Sequence, residues 1–438
     1  MDIVEALRWH DSHLNHETDP TGVVAGQVDG LSLQVMRDLM ALLGDPQDQV
    51  PVIHITGTNG KGTVAVMVTA LLRAHGLTVG TYTSPHLARV NERIARDGQE
   101  ISDIDLAEVL TGIAAVEPLL ETTPSWFEII TAAAFRHFAE APVDVAVIEV
   151  GLLGRHDATN VVDGAVAVVT SIQGDHTDFT PGWELQIAGE KAGIISAESV
   201  AVLGEVAPEL VAVFEAEGPR RLARLGVDFG PADDRIAIGG HMVDFQGLEG
   251  RYEGVFLPVH GPHQVTNAAV AVAAVEAFFE RALDPDVVTE AFASITLPGR
   301  FEVLGHGPLV VIDGAHNAEA LLAAARTLDD EFTPVGTRIL VLGVLNGRSV
   351  ARAVSAAAEF RPDLTICVTL PGSRGVDARD IAEECDRRAM AREVVPNPGE
   401  GVRRALMIAN EEDVIVVTGS FRIVDPARSA VAHFASGN

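Results

Sequence analysis

The sequence predicts an α/β protein with a larger domain built on a mostly parallel sheet and a second, smaller α/β domain. Short apolar runs rich in Val and Ile alternate with helical patterns along nearly the whole chain. Several runs are continuously apolar, as strands buried on both faces of a parallel sheet are. The chain has 438 residues, more than one hydrophobic core usually supports, so we expect two domains.

The first domain is predicted to contain a strand, a glycine-rich loop and a helix in succession. Residues 50–57 (VPVIHITG) form a buried-strand pattern, and the following KGTVAVMVTALLRAHG has helical spacing that ends at Gly76. Further strands are expected at 78–85, 143–151, 165–172 and 198–204, and helices near 104–120, 125–141, 183–196 and 263–280. Residues 221–262 are less regular and contain short β-like pieces.

The predicted domain boundary is LPGRFE, at 297–302, where Pro and Gly separate two periodic regions. Beyond it, PLVVIDG, RILVLGVL, LTICVTL and DVIVVTGSF are strand patterns separated by helical ones. We therefore assign residues 1–296 to the larger domain, 297–302 to a linker and 303–438 to the smaller domain. Paired α/β domains usually bind their ligands between them, at the carboxyl ends of strands.

Composition excludes several classes of protein. No apolar run approaches the ~20 residues that a membrane span needs, and the acidic, His-rich N-terminus lacks the features of a signal peptide. The net charge of −31 argues against a nucleic-acid partner, because binding to a phosphate backbone requires basic patches. The two cysteines, Cys367 and Cys385, lack metal-binding spacing, which favours a reduced, cytoplasmic setting.

Lysine usage is the most informative feature of the composition. Of the 31 basic residues, Lys61 and Lys191 are lysines and all the others are arginines. Both residue types serve as solubilising charges, but Lys alone offers a compact ammonium and a primary amine that can be modified. The plain alternative is that compositional drift replaced the other lysines and that these two remain by chance. Because Lys61 lies within the glycine loop, we expect both lysines to serve chemistry.

The loop GTNGKGT, at 57–63, has the context of a phosphate-binding loop, although its spacing differs from the usual Walker A pattern. It lies between a strand and a helix, where backbone N–H groups and a helix N-terminus can bind a polyphosphate. Its glycines allow close backbone approach, Lys61 would contact the β- and γ-phosphates, and Thr63 is placed to assist Mg²⁺. A glycine-rich turn without a ligand is the alternative.

Candidate metal ligands follow neighbouring strands of the same domain. Glu149 ends one predicted strand, and His176 follows the next. Carboxylate oxygen suits Mg²⁺, whereas imidazole is a less usual ligand for it, so a hydrogen-bonded histidine is the alternative for His176. Lys191 lies on the helix after that strand, where a solvated lysine would be the plain alternative.

In the smaller domain, the segment DGAHN places Asp313, His316 and Asn317 where a strand turns into a helix. The aspartate could accept a hydrogen bond from a ribose hydroxyl, and the histidine or asparagine could approach a phosphate or a carboxylate. An asparagine that merely caps the helix is the alternative for this segment.

Together these motifs resemble one family closely: the folylpolyglutamate synthase/dihydrofolate synthase family within the Mur ligase superfamily. The segments that carry the resemblance occur in the family's order and span most of the chain. They are GTNGKGT (57–63), TSPHL (83–87), NERI (91–94), FE (127–128), EVGLLGRHDATNVV (149–162), GDHTD (174–178), EKAGI (190–194), GPHQVTNAAVA (261–271), LPGRFE (297–302), DGAHN (313–317) and GS (419–420).

The resemblance implies a P-loop-containing, Mur ligase central-type domain and a Rossmann-like C-terminal domain that together form an ATP-dependent amide ligase. ATP would phosphorylate a folate-type carboxylate to an acyl phosphate, and the amine of L-glutamate would then displace phosphate. The implied cofactors are ATP and Mg²⁺, with two metal sites. The implied partners are ATP, L-glutamate and a pterin or folate, without nucleic acid or membrane, for a monomeric cytoplasmic enzyme.

The resemblance also assigns roles to individual residues. The implied nucleotide-binding residues are Gly57, Thr58, Asn59, Gly60, Lys61, Gly62, Thr63, Asn267, Arg300 and Asp313. The implied metal ligands are Ser84, Glu149, His176 and Lys191, of which Lys191 resembles a family lysine that is carbamylated. The implied catalytic residues are Lys61, Lys191 and His316, and the implied pterin-binding residues are Trp126, Phe127, His156 and Asp157.

The chain departs from the family's pattern at three places. The family commonly has GLGGRLD where this chain has GLLGRHD, so we expect Leu153 and His156 to reshape the pterin pocket. The usual N-I-x-L-D-H reads SIQGDH at 171–176, the strand end that presents His176. Residues 346–348 read NGR, where the family often has D-K-D.

Alternatives to this interpretation stay open on the sequence alone. A Mur-type ligase acting on a peptidoglycan precursor is one, although TSPHL and LPGRFE resemble the folate branch. An ATP-binding regulatory protein without ligase activity is another, although Lys61, Glu149, His176 and Lys191 are all intact. Within the folate branch, the acceptor can be dihydropteroate, a folate or both.

Overall fold

The computed structural model describes residues 1–15, 32–175, 177 and 179–436. These residues divide into two compact units. Within the described ranges, the first unit comprises residues up to 258 together with 264–295, and the second comprises 259–263 and everything from 296 onward.

The first unit is organised around a mostly parallel sheet. Its strands among the described residues are β1 (Val52–Thr56), β2 (Val79–Tyr82), β3 (Ile94–Arg96), β4 (Gln99–Glu100), β5 (Val145–Glu149), β6 (Val166–Ser171), β7 (Val200–Glu205) and β8 (Arg221–Arg224). They lie in the order β4-β3-β2-β5-β1-β6-β7-β8, and the pairings are parallel except at the β2-β3-β4 edge. β1 is therefore central, and its following loop lies at the carboxyl edge where open α/β sheets bind ligands.

Helices flank this sheet, and a small antiparallel sheet follows it in the chain. The helices are α1 (Ile3–His10), α2 (Leu33–Leu42), α3 (Lys61–Ala74), α4 (Asp103–Val116), α5 (Trp126–Glu140), α6 (Trp183–Ala192), α7 (Val211–Glu215), α8 (Pro262–Phe279) and α9 (Pro285–Ala293). The small sheet has the order β11-β10-β9, from β9 (Gly230–Ala237), β10 (Gly240–Gln246) and β11 (Arg251–Leu257). It accounts for the short β-like pieces expected from the sequence.

The second unit carries a sheet of its own. Its strands are β12 (Glu302–His306), β13 (Leu309–Ile312), β14 (Arg338–Leu342), β15 (Leu364–Val368), β16 (Arg392–Val395) and β17 (Val414–Thr418), and its helices are α10 (Ala318–Thr327), α11 (Val350–Ala357), α12 (Ala378–Arg387), α13 (Pro398–Ile408) and α14 (Val424–Ser436). The strand order is β12-β13-β17-β14-β15-β16, and β12 is its antiparallel edge. The predicted α/β class is confirmed.

Hydrophobic residues on both faces of the first sheet form the cores that hold the site in place. On one face, α1, α2, α4 and α5 bury a cluster that includes Met40, Leu110, Ile130 and Phe138. On the same face, α6 packs on β6 and β7 through a second cluster that includes Ala188, while the opposite face, which carries the buried Ile53 and Ile55, is covered by α3. The five residues of β1 are all buried, so the strand that leads into the glycine loop is fixed from both sides.

Two further observations concern the predictions made from composition. None of the helices formed by the described residues combines the length and the hydropathy that crossing a bilayer requires. Cys367 and Cys385 are buried free thiols in the second unit, with their Sγ atoms 4.0 Å apart.

The start of α5 provides a test of local stability. Ser125 Oγ accepts a hydrogen bond from the Glu128 N–H at 3.3 Å, and Glu128 Oε2 accepts one from the Ser125 N–H at 2.7 Å. We expect Ser125→Ala to lower the free energy of unfolding by about 1 kcal/mol, because the helix loses this reciprocal cap. Urea denaturation measures the change. Ser125→Asp keeps an acceptor at the cap and should retain most of the stability, so equal losses in both variants would contradict the capping role.

Candidate active site

The loop between β1 and α3 is shaped to receive an anion. Gly57 and Gly60 have φ of 148° and 88°, and a side chain would collide with Thr170 at the first and with Asn267 at the second. α3 begins at Lys61 without a side-chain cap, so its first N–H groups have no partner within the helix. These amides and the positive end of the helix dipole are groups of the kind that bind phosphate.

Residues at the end of β6 hold this loop in position. The Thr58 N–H donates to the Ser171 carbonyl at 2.9 Å, and Asn59 Nδ2 donates to Gln173 Oε1 at 2.5 Å. Thr170 Oγ1 donates to the Asn59 carbonyl at 2.6 Å. Sequence reasoning missed these three β6-side contacts, although the polar run at the strand end was visible in the sequence. Ser171, which stands where the family's pattern has Asn, also contacts the loop, because its Oγ accepts a hydrogen bond from the Asn59 N–H at 3.0 Å.

Both lysines of the chain bind one backbone carbonyl. Lys191 Nζ donates to the Gly57 oxygen at 2.7 Å, and Lys61 Nζ donates to the same oxygen at 3.0 Å. The Lys191 side chain is buried, with 4% of its surface exposed. Burial, and secondarily the Lys61 ammonium, lowers the pKa of Lys191 well below its ordinary value. A lowered pKa favours the neutral amine, the nucleophilic form of lysine.

Oxygen donors suited to a hard cation lie near the same edge of the sheet. The Ser84 N–H donates to Glu149 Oε2 at 2.9 Å, and Glu149 is buried at the end of β5. Thr63 Oγ1 is buried and has no hydrogen-bond partner among the described residues. Carboxylate and hydroxyl oxygens fit Mg²⁺. His176, the other predicted ligand, lies outside the described residues, and within the described ranges no group of three or more His, Cys, Asp or Glu residues is placed to hold a metal.

The predicted pterin-binding residues differ in their exposure. The Trp126 ring is buried and stacks on His10, with the ring centroids 4.2 Å apart. Phe127 is partly exposed, and its ring lies against the backbone of Gly151. His156 helps to line an open pocket of about 440 Å³. These positions leave Phe127 and His156 accessible to a ligand.

Asp157 lies inside the turn that carries His156. It is 5% exposed, and its Oδ2 accepts a hydrogen bond from the Leu152 N–H at 2.7 Å. Its Oδ1 accepts from the N–H and the hydroxyl of Thr159, at 3.0 and 2.5 Å. Burial raises the pKa of Asp157, and these hydrogen bonds partly oppose the rise. The carboxylate therefore closes the turn from within.

Leu153 occupies a position whose backbone favours glycine. Its φ is 58°, in the left-handed region, which costs an L-residue with a side chain roughly 1–2 kcal/mol. Its side chain is 6% exposed and clusters with Ile187 and Trp183 of α6. Burial of a leucine side chain contributes about 1.5–3 kcal/mol, which offsets the strain. The departure from the family's glycine thus packs this turn against the helix that carries Lys191.

In the second unit, Asp313 joins two segments of the chain. Its carboxylate accepts hydrogen bonds from the N–H groups of Phe301 and Ala315, at 2.7 and 2.8 Å. Burial raises the pKa of Asp313, while these hydrogen bonds and the Arg300 charge lower it. The Arg300 guanidinium lies over the Phe421 ring, 3.9 Å from its centroid. The Pro-Gly segment is thereby fixed to the turn that precedes α10.

That turn carries His316 and is supported by a residue that departs from the family's pattern. Asn317 is the N-cap of α10, and its side chain accepts a hydrogen bond from the Ala320 N–H at 2.9 Å, the plainer of the two roles considered for it. Arg348 Nη1 donates to the His316 carbonyl at 2.8 Å. Sequence reasoning singled out 346–348 as a departure but did not reveal this contact.

Two family models match the chain, and they define the class of protein. The Mur ligase middle domain matches residues 55–275, and the Mur ligase glutamate ligase domain matches residues 299–421. Together these matches cover both units and place the chain among the Mur ligases, a class of ATP-dependent enzymes.

Curated relatives and solved structures narrow this class. A dihydrofolate synthase/folylpolyglutamate synthase of Mycobacterium tuberculosis is 43% identical over 381 residues, which are 80% of this chain and 77% of the relative. The structure of M. tuberculosis folylpolyglutamate synthase complexed with ADP and AMPPCP covers 98% of each chain, with a TM-score of 0.89 and 36% identity. A bifunctional folylpolyglutamate synthase/dihydrofolate synthase from Yersinia pestis, complexed with AMPPNP and Mn ion, has a TM-score of 0.83 at 30% identity and covers 100% of this chain and 98% of that one.

The chain therefore belongs to the dihydrofolate synthase/folylpolyglutamate synthase family, and the resemblance read from its ordered motifs is confirmed.

Substitution of Leu153 tests the balance between strain and packing. We expect Leu153→Gly to lower the free energy of unfolding by about 1–2 kcal/mol, since lost burial exceeds relieved strain. Leu153→Ala loses most of the packing but keeps the left-handed strain, so it should be the less stable of the two variants. Urea denaturation gives both values, and the opposite order would show that strain at this position is negligible.

Substitution of Arg348 tests the support of the His316 turn. We expect Arg348→Ala to slow ligation about tenfold, because an unsupported turn misplaces the residues it carries. Phosphate release in the presence of ATP and substrates measures the rate. Arg352→Ala is the matched control, since that exposed guanidinium lies 3.7 Å from Glu319 on α10. If both variants were equally slow, the effect would belong to helix packing and not to the His316 carbonyl.

Proposed function

We propose that this protein joins L-glutamate to the carboxylate of dihydropteroate, of a folate, or of both, with ATP as the source of energy. The γ-phosphoryl group of ATP passes to the acceptor carboxylate, giving ADP and an acyl phosphate. The amine of L-glutamate then attacks the acyl carbon, and phosphate leaves as the amide bond forms. The observation that carries this proposal is the glycine loop with both lysines on the Gly57 carbonyl.

The phosphate loop supplies the electrostatic part of this reaction. Phosphoryl transfer needs mainly positioning and neutralisation of charge. The first N–H groups of α3 and the Lys61 ammonium would bind the β- and γ-phosphates, and Asn267, beside Gly60, would contact the adenine. In the second unit, Arg300 and Asp313 would contact the nucleotide, and His316 the transferring phosphate or the incoming glutamate.

Two divalent cations are proposed at this site, with Mg²⁺ as the natural ion. Ser84, Glu149 and His176 would hold the first, and the modified side chain of Lys191 would help to hold the second. The bound cation neutralises phosphate charge. Support comes from the buried Thr63 hydroxyl without a partner among the described residues, from the oxygen donors Ser84 and Glu149, and from the Mn ion in the Y. pestis relative.

Lys191 is proposed to react with carbon dioxide. Its neutral amine attacks the carbon of CO₂, and loss of a proton from nitrogen leaves a carbamate anion. Burial and the neighbouring Lys61 charge favour the neutral amine that this step needs. An arginine cannot form this carbamate, which explains why a chain so poor in lysine keeps one here.

The remaining roles follow from the same proposal. Residues 1–296 would bind ATP and the acceptor, residues 303–438 would bind glutamate, and 297–302 would link them. Trp126, Phe127, His156 and Asp157 would form or support the pterin site. We also propose a monomer that works in the cytoplasm.

Two acceptors test the function directly. Purified protein with ATP, Mg²⁺ and L-glutamate should release phosphate when dihydropteroate or tetrahydrofolate is added. Activity with one acceptor assigns the corresponding reaction, and activity with both assigns both. Failure to release phosphate with either acceptor, under conditions where a known family member is active, would overturn the proposal.

Substitution of Lys191 tests the carbamate. We expect Lys191→Arg to lower kcat by at least about a hundredfold, because it removes a charge-stabilising group from the reaction site. The wild type should lose activity when CO₂ and bicarbonate are removed and regain it on their return. Full activity in the arginine variant would exclude the carbamate while leaving glutamate ligation intact.

A further inference from the structure

Two polar side chains on β1 face the turn formed by residues 152–159. His54 and Thr56 are two positions apart, so they lie on the same face of the strand, and both are fully buried. Thr56 Oγ1 donates to the Leu153 carbonyl at 2.5 Å, and His54 Nε2 lies 2.9 Å from Thr159 Oγ1. The central strand of the sheet thus holds the turn at two points.

The hydrogen bonds from His54 to Asp157 run in one direction. Thr159 Oγ1 donates its single hydrogen to Asp157 Oδ1 at 2.5 Å, so it accepts a hydrogen bond from the His54 Nε2–H group. Burial lowers the pKa of His54 to about 3, which keeps the ring neutral, with its proton on Nε2. His54 Nδ1 has no hydrogen-bond partner among the described residues, and this tautomer leaves no N–H donor unpaired there.

The hydrogen bonds from His54 to Thr159 and from Thr159 to Asp157 form a relay. The turn that this relay holds is also docked on α6. The Arg155 N–H donates to the Glu190 carbonyl at 2.7 Å, and a side chain at Gly154 would lie 2.8 Å from that same oxygen. Asn160 Nδ2 donates to the Gly193 carbonyl at 3.0 Å. These contacts fix the position of the turn between β1 and α6, the helix that carries Lys191. The hydrogen bonds of the Asp157 carboxylate fix the conformation within the turn.

We propose that His54 and Thr159 are positioning residues for the acceptor substrate: through Asp157 they hold the pterin-side turn in register with the phosphate loop that β1 leads into. This inference rests on the proposed glutamate ligation. The acceptor carboxylate must meet the γ-phosphate in line, and a displacement of ~1 Å can cost on the order of a hundredfold in rate. A turn fixed to the same strand as the phosphate loop meets that demand.

Threonine 159 offers a clean substitution. Thr159→Val keeps the shape but removes the hydroxyl, so His54 Nε2 loses its partner while Asp157 Oδ1 keeps the hydrogen bond from the residue-159 N–H. Thr159→Ser keeps the hydroxyl. Thr69→Val is the matched control, because Thr69 is also buried and loses a hydrogen bond of 2.8 Å, to Thr81. Steady-state kinetics with dihydropteroate or tetrahydrofolate give KM for the acceptor and for ATP, and thermal unfolding gives Tm.

The expected result is a rise of about tenfold in acceptor KM for Thr159→Val, corresponding to one unsatisfied buried group, with KM for ATP within about twofold of wild type. Thr159→Ser and Thr69→Val should stay near wild type in both constants. His54→Leu removes the donor at the other end of the relay and should reproduce the acceptor effect if the valine variant does not fold.

Two outcomes would overturn the inference. One is an unchanged acceptor KM in Thr159→Val and His54→Leu. The other is a parallel rise of both KM values that follows the loss of Tm and occurs equally in Thr69→Val, since that pattern belongs to a general loss of stability. Wild-type turnover in the same assay separates this inference from the proposed function. An inactive wild type would refute the ligation itself. An active wild type whose variants keep the wild-type acceptor KM would refute the relay alone.

Discussion

Two lysine amines bind one carbonyl oxygen, and the rest of the site depends on that contact. When both amines are protonated, their positive charges repel each other across the Gly57 oxygen. The repulsion is strong because buried, low-dielectric surroundings screen charge poorly. The strain is relieved by an anion at the loop or by loss of a proton from Lys191. The same contact therefore favours phosphate binding and a neutral, reactive amine. In a chain of net charge −31, it creates a local positive potential where the chemistry needs one.

β1 fixes the positions of the elements that surround this positive potential. Its neighbours β5 and β6 fix the strand by parallel pairing, and its carboxyl end becomes the phosphate loop. Its polar face, His54 and Thr56, holds the turn expected to meet the acceptor. The phosphate loop and the turn at 152–159 are thus both attached to one rigid strand. This attachment fixes their relative position to within a fraction of an ångström.

The fold class, the phosphate loop and the family could be predicted because they depend on local patterns: apolar period, glycine placement and ordered motifs. The supporting contacts could not, because they join residues distant in the chain. Asn59 and Gln173 are 114 positions apart, and His54 and Thr159 are 105 apart. The left-handed backbone of Leu153 was equally hidden, since leucine rarely adopts it and its stability comes from α6. His176, central to the predicted metal set, lies outside the described residues.

The scarcity of lysine, combined with where the two lysines lie, has a chemical consequence. Both lysine amines of this sequence donate hydrogen bonds to the Gly57 carbonyl. Acylating and reductively alkylating reagents modify lysines over the whole surface of most proteins. In this chain the only lysine side chains they can modify are Lys61 and Lys191, both at the loop formed by residues 57–63. Lys61 is the more accessible of the pair, and Lys191 is buried. Labelling of the lysine amines therefore reports on the accessibility of the loop at 57–63.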